Sequence, residues 1–124
     1  MPIPISIIIA GETVAAELND SATARDIAGK LPIETGFNTW GDEIYFAVPV
    51  KRGEEQSKAV VELGELGYWP PGNAFCIFYG ATPGSTAERI EPASPVNPIG
   101  RISSDPKVFK TLARAAHTIR IEKV

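Results

Sequence analysis

The side chains in this chain best suited to chemistry are one cysteine, one histidine and two adjacent acid pairs, Asp42-Glu43 and Glu54-Glu55. A cysteine attacks as its thiolate, which needs a nearby base or cation to lower its pKa. Cys76 stands between Phe75 and Ile77, so an apolar, inert thiol is expected. His117 begins the last strand-like run on the face of Ile119 and Ile121, where a structural imidazole is the expected role. A metal centre would need more ligands, and the sequence has no HExxH, no paired histidines and no cysteine cluster. The GxSxG, GxGxxG and P-loop patterns are also missing, which removes the usual support for hydrolase, kinase and dinucleotide-binding readings. Both acid pairs fall in expected turns, where solvated charge is the default. No catalytic residue, metal ligand or cofactor is therefore assigned.

The composition excludes further classes. The 124 residues suit one domain, spanning 1–124 and long enough to bury about two-thirds of its unfolded surface. A formal charge of -3 with 22% charged residues gives no reason to expect nucleic acid or an anionic membrane as partner. One cysteine cannot form a disulfide framework, so a reducing, cytoplasmic setting is expected. Met1 to Ala10 is too short for a secretory signal and lacks its basic start, and no run approaches a membrane span.

The elements that must position any site read as mainly β. Ile3, Ile5, Ile7 and Ile9 share a face of a first strand, and Gly11-Glu12 suits a type II′ turn into a second strand, Thr13 to Leu18. A short helix follows, with Thr23 three residues before Asp26 as a relative of the capping box and an apolar face of Ala24, Ile27, Ala28 and Leu31, stopping at Pro32. Further strands are expected at Glu43 to Val48, Ala59 to Leu63, Ala74 to Tyr79, Pro98 to Ile102 and His117 to Val124. A second helix is signalled by Asp105 as cap and Pro106 at the first helical position. Lys51 to Lys58 and Thr82 to Pro98 are too polar or Pro-rich for strands and read as surface loops. Seven or eight short strands with two short helices favour a closed barrel, which removes exposed sheet edges.

Two of these strands are apolar on both faces. Phe75, Ile77 and Tyr79 alternate with Ala74, Cys76 and Phe78, and Ile44, Phe46 and Val48 alternate with Tyr45 and Ala47. One core buries only one set of each pair. The other set needs a covering loop, a second subunit or a ligand.

The motifs Trp40-Gly41-Asp42-Glu43-Ile44-Tyr45-Phe46, Tyr68-Trp69-Pro70-Pro71-Gly72-Asn73-Ala74-Phe75-Cys76-Ile77-Phe78 and Asn97-Pro98-Ile99-Gly100-Arg101-Ile102, with the Ile-rich hairpin, resemble the small prokaryotic cyclophilin-like family over nearly the whole chain. The resemblance implies a closed eight-stranded antiparallel cyclophilin-like barrel with a short helix near each open end. A weaker likeness to true cyclophilins, which isomerise X-Pro bonds, lays the catalytic arginine on Phe46 and the groove glutamine and phenylalanine on Ala74 and Cys76. The fold motifs transfer and the catalytic ones do not. This alignment implies an outward set of Ile44, Phe46, Val48, Ala74, Cys76 and Phe78, with Tyr45, Ala47, Phe75, Ile77 and Tyr79 inside.

The resulting expectation is a binding domain with an apolar outer-sheet groove for an extended peptide or small apolar ligand, with little or no prolyl isomerase activity. Its ligand-binding residues are expected to be Phe46, Trp69, Ala74, Cys76, Phe78 and Arg101, with Trp69 the main anchor. One alternative is a divergent isomerase using Arg101 or Arg52 as hydrogen-bond donor. Another is a homo-oligomer contact, or a docking module of a larger amide-hydrolysing assembly.

Overall fold

The computed structural model describes residues 2–124; Met1 lies outside the described residues. Strands β1 (Ile3–Ile9), β2 (Glu12–Leu18), β3 (Ile33–Gly36), β4 (Asn38–Thr39), β5 (Glu43–Ala47), β6 (Glu65–Trp69), β7 (Ala74–Phe78), β8 (Asn97–Ile102) and β9 (Thr118–Lys123) are joined with two helices, α1 (Ala22–Ala28) and α2 (Phe109–Ala115). All nine strands form one antiparallel sheet in the order β3-β9-β1-β2-β8-β6-β7-β5-β4. Its two ends, β3 and β4, are halves of one stretch interrupted at Phe37, whose N–H donates to the His117 carbonyl at 3.3 Å. Because that stretch pairs with β9 through β3 and with β5 through β4, the sheet curls into a nearly closed barrel. Counting this stretch once gives eight strands, the number that the family resemblance implied for the barrel. Among the described residues no helix is long and apolar enough to cross a membrane.

The interior follows from strand period. Ile5, Ile7 and Ile9 of β1 face inward with no more than 1% exposure, and they meet Val14, Ala16 and Leu18 from β2. The β1–β2 turn is Ala10-Gly11, with Ile9 opposite Glu12, rather than the expected Gly11-Glu12. Both turn residues have positive φ, 52° and 77°, as a two-residue type I′ hairpin turn requires. Glycine adopts this freely, whereas alanine pays a left-handed penalty. Ala10→Asn is therefore expected to raise the unfolding free energy by about 0.5–1 kcal/mol in chemical denaturation, and a lower value would argue against this turn.

Both helices pack on the barrel core, α1 through Ala24, Ile27 and Ala28 and α2 through Phe109. Ser21, not Thr23, caps α1, its Oγ accepting from the Ala24 N–H at 3.1 Å. Thr23 instead donates its hydroxyl to Glu55 at 2.7 Å, and the Glu55 carboxylate also accepts the Ala22 and Thr23 N–H groups at 3.0 and 2.9 Å. These bonds hold the Glu55 carboxyl below its usual range, so Glu55 is a clamp on the helix start rather than idle turn charge. Fully buried Asn97 completes the clamp, accepting from the Glu55 N–H and donating to the Gly53 carbonyl and Thr23 Oγ1. Asp105 accepts from the Lys107 N–H and starts a 3₁₀ turn at Pro106 that leads into α2, whose Phe109 is wholly buried.

Three strands, β3, β4 and β6, were not foreseen, and one expected strand is absent. The segment β6 carries Gly67 in its middle, and β3 lies just beyond Pro32; both punctuating residues read as breaks. Ala59 to Leu63 makes only an isolated bridge from Val61 to Ile90, next to another from Lys58 to Val96. That stretch lies across the outside of the sheet as a cover.

Candidate functional site

The outer face of β5–β7 is set by register. Tyr45 lies opposite Cys76, and Phe46 lies opposite Phe75. Side chains directly opposite in an antiparallel pair share a face, so Tyr45 belongs outside with Cys76 and Phe46 belongs inside with Phe75. The expected facing of β5 is thus reversed: Ile44, Phe46 and Val48 pack in the barrel interior, and Tyr45 joins the outer cluster. Phe46 is 3% exposed and stacks on Phe75, with ring centroids 5.1 Å apart and planes at 14°. It takes no part in an outer groove. The physical reason is that a two-residue period fixes which residues of one strand share a face but leaves the phase between two strands open, and a one-residue slip exchanges the faces.

Strand β7 faces as expected. Ala74, Cys76 and Phe78 form an outer cluster with Val61 and Val96, bordered by Tyr45, Trp69 and Ile90. None of these three β7 residues is more than 3% exposed, because Val61 and Val96 lie over them. The covering loop is therefore real for this part of the face, and Ala74, Cys76 and Phe78 are its floor rather than free ligand contacts. Burial pushes the Cys76 thiol well above its usual pKa, and the nearby Glu43 carboxyl adds to that rise.

Beyond the cover the outer face stays open. Trp40, Glu43, Tyr45, Trp69, Pro92 and Ala93 line a cavity of about 200 Å³. Glu43 and Tyr45 come from alternate positions of β5, and Trp69 ends β6 opposite Ala74. Trp40 enters through a tight turn in which its N–H donates to the Glu43 carbonyl at 2.9 Å. The Asp42 N–H, in the same turn, donates to the Ala81 carbonyl at 2.8 Å, which ties the turn to the segment leading to the far wall. That segment is pinned by Ser85, whose Oγ accepts from the Thr82 and Glu91 N–H groups at 3.0 Å each, and by the Thr82 hydroxyl donating to the Glu91 carbonyl.

Trp69 is fixed on two sides. Its Nε1–H donates to Ser94 Oγ at 2.6 Å, and its ring lies over Gly72, where an added Cβ would come within 2.8 Å of two ring carbons. The Pro70–Gly72 3₁₀ turn thus gives the indole a flat seat that a larger residue would fill.

Glu43 is the only acid among the described residues of the lining. The residue is 6% exposed, and burial raises its carboxyl pKa to about 7, a rise that the nearby Cys76 thiol partly offsets. From the sequence alone it reads as solvated turn charge. The alternation of acid and aromatic in Glu43-Ile44-Tyr45 was the available signal, since both fall on one face of the strand.

The two arginines considered as isomerase donors lie elsewhere. Arg52 pairs with Asp26 at 2.7 Å, and Arg101, on β8, pairs with Glu17 at 3.1 Å with its side chain 75% exposed. Of the expected ligand-binding residues, then, Trp69 alone lines the open cavity. Arg101 borders a polar cleft with Glu17, Glu62 and Glu65.

No curated protein sequence matches this chain. Among solved structures it is similar to the hypothetical protein AF2241 from Archaeoglobus fulgidus, at 39% identity and a TM-score of 0.80 over 99% of this chain and 95% of that one. It is also similar to McbB, solved in complex with tryptophan, at 13% identity and a TM-score of 0.67 over 95% of this chain and 44% of that chain, a likeness of fold alone. The family profile described as Cyclophilin-like matches residues 3–122, so with its nearly closed antiparallel barrel the chain belongs to the cyclophilin-like family.

Proposed function

We propose that this protein is a binding domain whose outer-face cavity takes a small, largely apolar ligand. The observation that carries this reading is the convergence of three aromatic side chains from separate segments, Trp40, Tyr45 and Trp69, on one space of about 200 Å³. Concave apolar sites with few polar groups are where small ligands bind. An extended peptide fits less well, because Val61 and Val96 already occupy the neighbouring outer face over Cys76 and Phe78. A binding role is favoured over prolyl isomerisation because the described residues of the lining include no arginine, lysine or histidine, and Arg52 and Arg101 are engaged with acids elsewhere.

The test is a titration with indole, p-cresol and other small apolar probes, followed by NMR of the two tryptophan indole N–H signals. Saturable shifts at Trp40 and Trp69 are expected with each probe that fits. Shifts spread over the whole surface, or none at millimolar probe, would remove the reading.

A further inference from the structure

We infer that the cavity's ligand carries a methylated ammonium group, held among Trp40, Tyr45 and Trp69 with Glu43 as its counter-charge. This deepens the reading above and rests on it. Aromatic faces attract cations through the negative charge above the ring, and several rings around one space form the kind of cage that selects quaternary ammonium. Here three electron-rich rings line one cavity, and among the described residues the close ring pairs, Phe46–Phe75 and Tyr79–Phe109, lie away from it. Trp69 rests one face on Gly72, and Tyr45 and Trp69 border the outer cluster, so what is left to a guest is the ring surface that lines the cavity.

The charge pattern points the same way. Glu43 has no ion pair among the described residues, whereas the adjacent Asp42 is turned to Lys110 at 3.6 Å. The groups that face Glu43 are the Cys76 thiol from β7, Tyr45 two residues along its own strand, the two indoles, and Pro92 and Ala93 from the far wall. None of these is a cation. A buried carboxylate without a positive partner is costly to ionise, and its pKa of about 7 reflects that cost. A ligand cation would supply the missing partner, and the carboxylate form would be the one that binds. Cys76 stays protonated across the same range, since its own pKa is raised. A quaternary ammonium suits the site better than a primary amine, because its methyl groups sit against rings and need no hydrogen-bond acceptors.

The test compares choline with its uncharged isostere 3,3-dimethyl-1-butanol, by calorimetry or NMR titration of the whole chain. At pH 8.5 choline is expected to bind at least about tenfold more tightly than the isostere. Between pH 8.5 and 5.5 choline affinity is expected to fall about 30-fold as Glu43 takes up its proton, with isostere affinity unchanged. Glu43→Gln is expected to flatten that pH dependence and to cut the preference for the cation. The pH series on the unaltered protein stands even if the variant does not fold. A peptide containing trimethyllysine identifies the source: weaker binding than choline assigns the group to a free small molecule, and tighter binding assigns it to a protein side chain. Equal affinity for choline and the isostere at pH 8.5 overturns the inference and leaves the apolar-ligand reading standing. A cation preference that survives Glu43→Gln and pH 5.5 undiminished overturns the role of Glu43. Failure of both compounds and of the neutral aromatic probes to bind overturns both readings.

Discussion

Phe46→Ala is expected to lower the unfolding free energy by about 3–5 kcal/mol while leaving ligand affinity at the outer cavity little changed. The side chain is 3% exposed, belongs to the main core and stacks on Phe75 at 5.1 Å. Truncation removes its burial and leaves a void that neighbours on a hydrogen-bonded barrel wall fill poorly. Its strand neighbour Tyr45 points the other way, towards the cavity, so the two effects separate. Urea denaturation gives the stability change, and titration below the unfolding transition gives the affinity. A large loss of affinity with stability within 1 kcal/mol of the parent would place Phe46 on the outer face and overturn the register described above.

That register marks the boundary of what the sequence made legible. The hairpin, both helices and the barrel class could be read because each rests on a local signal: the alternating isoleucines, the Asp105-Pro106 start, the Gly and Pro punctuation. The facing of β7 came from the family alignment rather than from a local signal, since that strand is also apolar on both sides. The facing of β5 was not legible, because Ile44 to Val48 is apolar enough on both sides to satisfy either phase, and the deciding contacts to Phe75 and Cys76 are about thirty residues away in the chain. Strand β6 was hidden by Gly67, whose missing side chain leaves room for Val96 to lie across the sheet. The cavity was legible in part. Trp69 stood out as a large ring in a Pro-Gly loop, whereas Glu43 read as turn charge and Trp40 only as the first residue of a family motif. The far wall that completes the cavity, Pro92 and Ala93, arrives from a segment with no periodic pattern of its own.

Trp69→Ala is expected to have the opposite profile to Phe46→Ala: about 30-fold weaker ligand binding, about 2 kcal/mol, with a smaller loss of stability. Trp69 is partly exposed, and one face of its ring rests on Gly72 while the rest borders the cavity. Removing it takes away a wall that a ligand would desolvate, the setting in which truncating a tryptophan costs most. Its Nε1–H also holds Ser94 at 2.6 Å, and Ser94 follows directly on Pro92 and Ala93 in the opposite wall. Loss of the indole therefore frees that wall as well as opening the floor. Trp69→Phe separates the two contributions, because it keeps a ring but cannot donate to Ser94, and Ser94→Ala removes the hydrogen bond with the ring in place. If the ring dominates, Ser94→Ala binds nearly as the parent does and Trp69→Phe loses less than Trp69→Ala. If wall positioning dominates, Ser94→Ala and Trp69→Phe fall together. Affinity unchanged in Trp69→Ala, with a folded spectrum, would show that the ligand is held elsewhere on the barrel.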